Sequence, residues 1–132
     1  MQELVGLMIS KAKKALPFAY APYSNYQVAC CICAEGDKLF TGVNVENASY
    51  GLTTCAEASA ICQMVSAGLQ KIKSIVVLNG ENTFCSPCGA CRQKLFEFST
   101  GETLVHLCDQ NNVLKTLKID DLLPLAFRLE IK

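Results

Sequence analysis

Two short cysteine segments constrain this chain more than any other feature: Thr54-Cys55-Ala56-Glu57 and Ser86-Pro87-Cys88-Gly89-Ala90-Cys91. Each stands where a polar loop hands over to a segment of helical spacing. Cys88 and Cys91 are three apart, so in a first helical turn both thiols share one face. Ser86 suits an N-cap and Pro87 the first helical position. A helix N-terminus lowers a thiol's pKa and favours the thiolate that binds metal. If the two helices lie side by side with their N-termini together, Cys55 becomes a third ligand. Three protein ligands leave one tetrahedral position open, as in catalytic rather than structural zinc sites. Glu57 then stands beside that position as a proton carrier.

Other chemistry fits the same residues. A C-x-x-C pair also serves thioredoxin-like exchange, and Cys85-Ser86-Pro87-Cys88 is a second, overlapping copy. Cys85 as a fourth ligand would close the site, although Pro87 makes the reach back awkward. Thr54-x-x-Glu57 fits a capping box, so Glu57 reads equally as cap and catalyst.

Nine cysteines cannot all pair within one chain, and an odd count argues against a disulfide framework. The opening sixteen residues place lysines after the apolar positions, the reverse of a secretory signal. Val28 to Ala34, the longest uncharged apolar run, is far short of the roughly 20 residues that span a bilayer. A cytoplasmic protein is expected, with its cysteines held reduced. The 132 residues fit one domain, 1–132, and 51% hydrophobic against 18% charged excludes disorder. Twelve basic residues balance twelve acidic ones, which leaves no footprint for nucleic acid.

Spacing predicts helices over 3–16, 55–68, 89–98 and 119–123, and strands over 28–34, 39–43, 72–78, 103–107 and 113–117. The second helix is expected to bury Ala58, Ile61, Val65 and Gly68. The order α-β-β-α-β-α-β-β-α predicts a three-layer α/β/α domain around one mixed five-stranded sheet. Cys30, Cys31, Cys33, Cys62 and Cys108 read as small core hydrophobes, and His106 as a satisfied sheet residue.

Cys55-Ala56-Glu57 with Pro87-Cys88-Gly89-Ala90-Cys91-Arg92-Gln93 resembles the zinc-dependent cytidine deaminase family, in its small, homotetrameric, three-cysteine branch. The resemblance extends to Ala21–Val28, to Gly42–Gly51 and to Leu122–Phe127. It implies a cytidine deaminase-like fold and a hydrolase acting on a cyclic amidine C–N bond. Cytidine and deoxycytidine would become uridine and deoxyuridine plus ammonia, in pyrimidine salvage. One Zn²⁺ per subunit would be held by Cys55, Cys88 and Cys91, with Glu57 moving protons. Asn44 and Glu46 would bind the ribose hydroxyls, Tyr26 would pack against the nucleoside, and the Ala56 backbone would hold the pyrimidine carbonyl. Neighbouring subunits would supply Ala48, Tyr50 and Phe127 to shared sites; unaided, Phe127 reads as core. The substrate implied is a free nucleoside, with no nucleic-acid or membrane partner.

One departure stands out. In the three-cysteine branch the residue after the catalytic Glu is commonly Arg, which bonds the thiolates; here it is Ala58. Arg92, next to Cys91, is then expected to offset the negative charge around the zinc. Deaminases of cytosine-nucleoside analogues also vary here, but Asn44, Glu46 and Asn47 together favour an ordinary ribose. The rival readings from other classes are a closed four-cysteine structural zinc site and a redox protein using Cys85 and Cys88.

Overall fold

The computed structural model describes residues 2–129. Helix α1 (Gln2–Ala15) buries Met8, Ile9 and Ala12 and leaves Lys11, Lys13 and Lys14 in solvent. Pro17 follows in a single 3₁₀ turn, Leu16–Phe18, because its ring and missing N–H cannot continue an α-helix. Strands β1 (Val28–Ala34) and β2 (Leu39–Val43) form an antiparallel hairpin across the turn Glu35–Asp37. Gly36 and Asp37 take φ of +71° and +57° there, which glycine and aspartate tolerate best. Then come α2 (Ala56–Ser66), β3 (Ile72–Asn79), α3 (Gly89–Glu97), β4 (Ser99–Cys108), β5 (Val113–Lys118) and the short α4 (Ile119–Leu122).

The strands form one sheet in the order β2-β1-β3-β4-β5. Only β3 and β4 run parallel, and α3 makes the crossover that a parallel pair requires. The period of two in β1 and β3 divides the core. Cys31, Cys33, Val76 and Leu78 meet α1 on one face, while Cys30, Ile32, Ile75 and Val77 share a core with Ala56, Ala60, Met64, Leu95 and Leu122 on the other. Both faces of these strands are therefore covered, which is why their sequences show no polar stripe. The expected three-layer α/β/α arrangement around a mixed five-stranded sheet is the observed one.

Three details differ from the sequence reading. Helix α2 buries Ala56, Glu57, Ala60 and Met64 beside Ala58 and Ile61, whereas Val65 is 42% exposed and Gly68 also lies in solvent. An alanine-rich helix carries little periodic information, and its neighbour decides the face. That neighbour is Gly42 on β2, where an added methyl group would collide with the Ala56 carbonyl and the Ala60 amide. The N-cap of α3 is Cys88 rather than Ser86. Cys62 is exposed rather than in the core.

Candidate active site

Helices α2 and α3 pack against each other, and each has a cysteine as its N-cap: Cys55 and Cys88. Neither cap side chain bonds its helix. The first-turn amides, without intrahelical partners, thus direct their partial positive charge toward the two cysteines. The Sγ atoms of Cys55 and Cys91 and a carboxylate oxygen of Glu57 lie within 4.8 Å of one another.

The two sulfurs are paired directly, across a Cα–Cα separation of 7.3 Å. Ordinary disulfides span about 4.4–6.8 Å between Cα atoms. Thiolates sharing a tetrahedral zinc stand roughly 3.8 Å apart, given Zn–S bonds of about 2.3 Å, so this wider backbone spacing suits a shared metal. Two thiolates beside a carboxylate are also a donor set that fits zinc. Cys88 stands one turn before Cys91 with its side chain exposed and its sulfur outside that cluster. The structure thus gathers Cys55, Cys91 and Glu57 and leaves Cys88 at the rim.

Glu57 occupies the first turn of α2 and is 4% exposed. It is no capping box. Thr54 exchanges backbone hydrogen bonds with Val45, both 2.8 Å, and this bridge leaves the N-cap position to Cys55. Burial raises the Glu57 carboxyl above the usual range, while its own backbone amide and the charge of Lys94 pull it down. Behind it, the Cys30 thiol donates to the Ala56 carbonyl at 3.1 Å. Burial, and then the Glu57 charge, push that thiol's pKa well up, so Cys30 is a protonated core group. Burial likewise pushes Cys31 and Cys108 up to about 12.

Arg92 does not reach the sulfurs. Its guanidinium donates to the Pro87 carbonyl at 2.9 Å, the Leu122 carbonyl at 2.8 Å and the Ser86 hydroxyl at 2.9 Å. It holds the segment before Cys88 and ties α3 to α4. Cys85 lies away from the cluster, near Tyr26, whose pKa is pushed up to about 12 by burial and then by that thiol. Cys85 and Cys88 are both free thiols.

The other expected substrate residues lie on the loops around this centre. Asn44 is buried, its side chain donating to the Tyr26 carbonyl at 2.9 Å and accepting from the Val28 amide at 3.0 Å. One N–H and one lone pair of its amide are left over. Glu46 accepts from the Ser24 hydroxyl and from the amides of Tyr23 and Ser24, and the hydroxyl holds its carboxyl below the ordinary range. Ala48 and Tyr50 are exposed, with Tyr50 edge-on to Tyr23 at 6.3 Å between centroids. Phe127 is 68% exposed, with its carbonyl accepting from the Gln93 side chain at 3.0 Å; it is not a core residue.

Three residues were given no role by the sequence. Ser24 orients Glu46. Gly42 admits α2 to the sheet, a role a glycine inside a strand often signals. Asn79, buried at the end of β3, bonds the amides of Glu81 and Thr83 and the Thr83 carbonyl, anchoring the loop that leads to Cys88. An asparagine ending an apolar strand was the available sign.

The family model described as the cytidine and deoxycytidylate deaminase zinc-binding region matches residues 3–107. A cytidine deaminase of Mycoplasma genitalium is 43% identical over 122 residues, covering 92% of this chain and 93% of its own. One from Sporosarcina psychrophila is 37% identical, covering 96% and 93%. The crystal structure of cytidine deaminase from Burkholderia pseudomallei superposes with a TM-score of 0.85 at 39% identity, over 92% of this chain and 97% of that one. The enzyme from Mycobacterium tuberculosis gives 0.82 at 35%, over 93% and 96%. With its paired helix N-termini, its thiols and its buried glutamate set in that fold, the chain is a member of the cytidine and deoxycytidylate deaminase family.

Proposed function

We propose that this protein hydrolyses cytidine and deoxycytidine to uridine and deoxyuridine with release of ammonia, in the cytoplasm and within pyrimidine salvage. One observation carries the reading: a buried glutamate beside two cysteine sulfurs at the joined N-termini of α2 and α3. One zinc ion per subunit would be held by Cys55, Cys91 and Cys88. When bound, the metal lowers the pKa of water from 15.7 toward about 7 and so supplies a nucleophile at neutral pH.

Glu57 would take a proton from the attacking water and pass it to pyrimidine N3, which makes C4 electrophilic. The water oxygen adds to C4, and Glu57 then moves the remaining hydroxyl proton to the exocyclic amine. Ammonia leaves and a carbonyl remains at C4, so cytidine and water balance uridine and ammonia. A carboxyl raised by burial suits a group that must accept and return a proton at neutral pH. The free N–H of Ala56 in the first turn of α2 orients the pyrimidine carbonyl. Asn44, with its spare donor and acceptor, and the ionised Glu46 hold the ribose hydroxyls, with Tyr26 beside them.

The same reading makes the whole chain one domain of a homotetramer. Tyr50 is 77% exposed, with Leu52, Leu125 and Phe127 also in solvent; large apolar groups left outside a monomer mark surfaces that meet partners. Ala48, Tyr50 and Phe127 then complete the site of an adjacent subunit.

The test is the fall in ultraviolet absorbance when the purified protein meets cytidine, beside Glu57→Gln with zinc quantified in both. Turnover in the parent alone, at equal zinc, is expected. No turnover from zinc-loaded parent would overturn the assignment.

A further inference from the structure

Residues 21–25 curl back on themselves. The Asn25 amide donates to the Ala21 carbonyl at 3.0 Å, and Asn25 takes a φ of +57°, which asparagine tolerates better than most residues. The curl sets Ser24 against Glu46, where its hydroxyl makes two bonds. It donates to Glu46 Oε2 and accepts from the Tyr26 amide at 3.0 Å. The other carboxylate oxygen, Oε1, takes the amides of Tyr23 and Ser24 at 3.0 and 3.2 Å. A carboxylate oxygen offers about two lone-pair sites. Oε1 is therefore full, and Oε2, the oxygen that Ser24 holds, is the one left to accept a further hydroxyl. On its other side the Tyr26 carbonyl accepts from the Asn44 side chain at 2.9 Å. One serine hydroxyl thus joins Glu46 to the Tyr26 backbone, and through it to Asn44. The segment has a separate brace, since the Tyr20 amide donates to the Asn44 carbonyl at 3.0 Å and the Glu46 amide to the Tyr20 carbonyl at 2.9 Å.

Given the deaminase reading above, in which Glu46 and Asn44 hold the ribose hydroxyls, we propose that Ser24 is a positioning residue for the nucleoside: its hydroxyl aims Glu46 Oε2 at the ribose and ties that oxygen to the Tyr26 backbone. Without the hydroxyl, the Glu46 carboxylate is held through Oε1 alone and can pivot about it. Ordering it again on binding costs conformational entropy. The ribose does not change during the reaction, so that cost falls alike on bound substrate and transition state. It belongs in KM and not in kcat.

The experiment measures kcat and KM of the purified, zinc-loaded full chain on cytidine and on 2′,3′-dideoxycytidine, which keeps the base but lacks both hydroxyls of the ribose ring. Ser24→Ala is expected to raise KM for cytidine about tenfold, the size of one hydrogen bond to a charged group, with kcat within about twofold of the parent. Its effect on kcat/KM for the dideoxynucleoside should stay within about twofold. A merely structural role for the serine would penalise both nucleosides alike. Ser24→Thr, which keeps the hydroxyl, should match the parent. In a Glu46→Ala background, Ser24→Ala should add less than about twofold to the loss on cytidine, because groups that act through one another are not additive. A KM for cytidine within about twofold of the parent in Ser24→Ala would overturn the Ser24 role, and so would equal losses on the two nucleosides or a full further loss in the Glu46→Ala background; the deaminase reading stands in each of these cases. A zinc-loaded parent that does not turn over cytidine would overturn that reading, and the Ser24 role with it.

Discussion

Glu57 shows how a single position can carry two readings until its neighbours are known. Capping and proton transfer both use a glutamate in the first turn of a helix. In α2 the cap is Cys55 and makes no side-chain bond, so Glu57 belongs to no capping box, and its burial makes its charge costly. Glu57→Gln is therefore expected to lose roughly 10²–10⁴-fold in turnover while melting at or above the parent temperature. A capping glutamate would instead cost about 1 kcal/mol of stability. His106 supplies a second prediction at this scale. Its Nδ1 lies 2.8 Å from the Thr116 hydroxyl, and burial lowers its pKa below the ordinary value. A base with a depressed folded pKa binds more protons unfolded. Its contribution to stability is complete above about pH 6.5 and is lost as pH falls through the lower folded value. Urea melts at successive pH values from 7.5 downward should show a shallower loss for His106→Gln than for the parent.

At the scale of elements, two contacts set the site. The first is the approach of α2 to β2 at Gly42, which fixes the rotation of α2 and so the direction of Glu57. Gly42→Ala must move a helix backbone rather than a side chain, and is expected to cost about 3 kcal/mol or more. Chemical denaturation measures that cost, and zinc content should fall with it. The second is the fork of Arg92, which joins α4 and the segment before Cys88 to α3. Arg92→Lys is not conservative there, because one ammonium cannot serve three acceptors spread around a planar guanidinium. Arg92→Lys and Arg92→Ala are both expected to destabilise the fold by about 2 kcal/mol and to loosen zinc. A stability equal to the parent in either variant would show that the fork holds nothing. The sequence placed Arg92 beside the metal ligands but not its bonds. Adjacency in a helix says which turn a side chain leaves from, and the carbonyls it meets belong to residues as distant as Leu122.

Across the whole molecule, the exposed Tyr50 and Phe127 predict shared sites. Co-expression of two inactive chains, Glu57→Gln and Phe127→Ala, should restore part of the activity, because a mixed assembly contains sites with Glu57 from one chain and Phe127 from another. Absorbance assays of the co-purified mixture check this, with sedimentation giving the number of chains. No activity from a mixture shown to contain both chains in one assembly would mean each site is built from a single chain. The strands and the three layers were legible in the residues themselves. Apolar runs such as Val28–Ala34 and Ile72–Leu78 fix strand length and double-sided burial through the physics of burying backbone and side chain together. The cysteine spacing put Cys88 and Cys91 at the start of one helix, but Cys88 is its exposed N-cap and only Cys91 joins the buried cluster. What only the tertiary structure decided depends on residues far apart in the chain. Gly42 chose the buried face of α2, the Val45–Thr54 bridge gave the N-cap to Cys55, and α2–α3 packing brought Cys55 and Glu57 to Cys91. Local periodicity specifies an element and its handed face. It carries no term for which neighbour that face meets, and the chemistry of this site is made by the meeting.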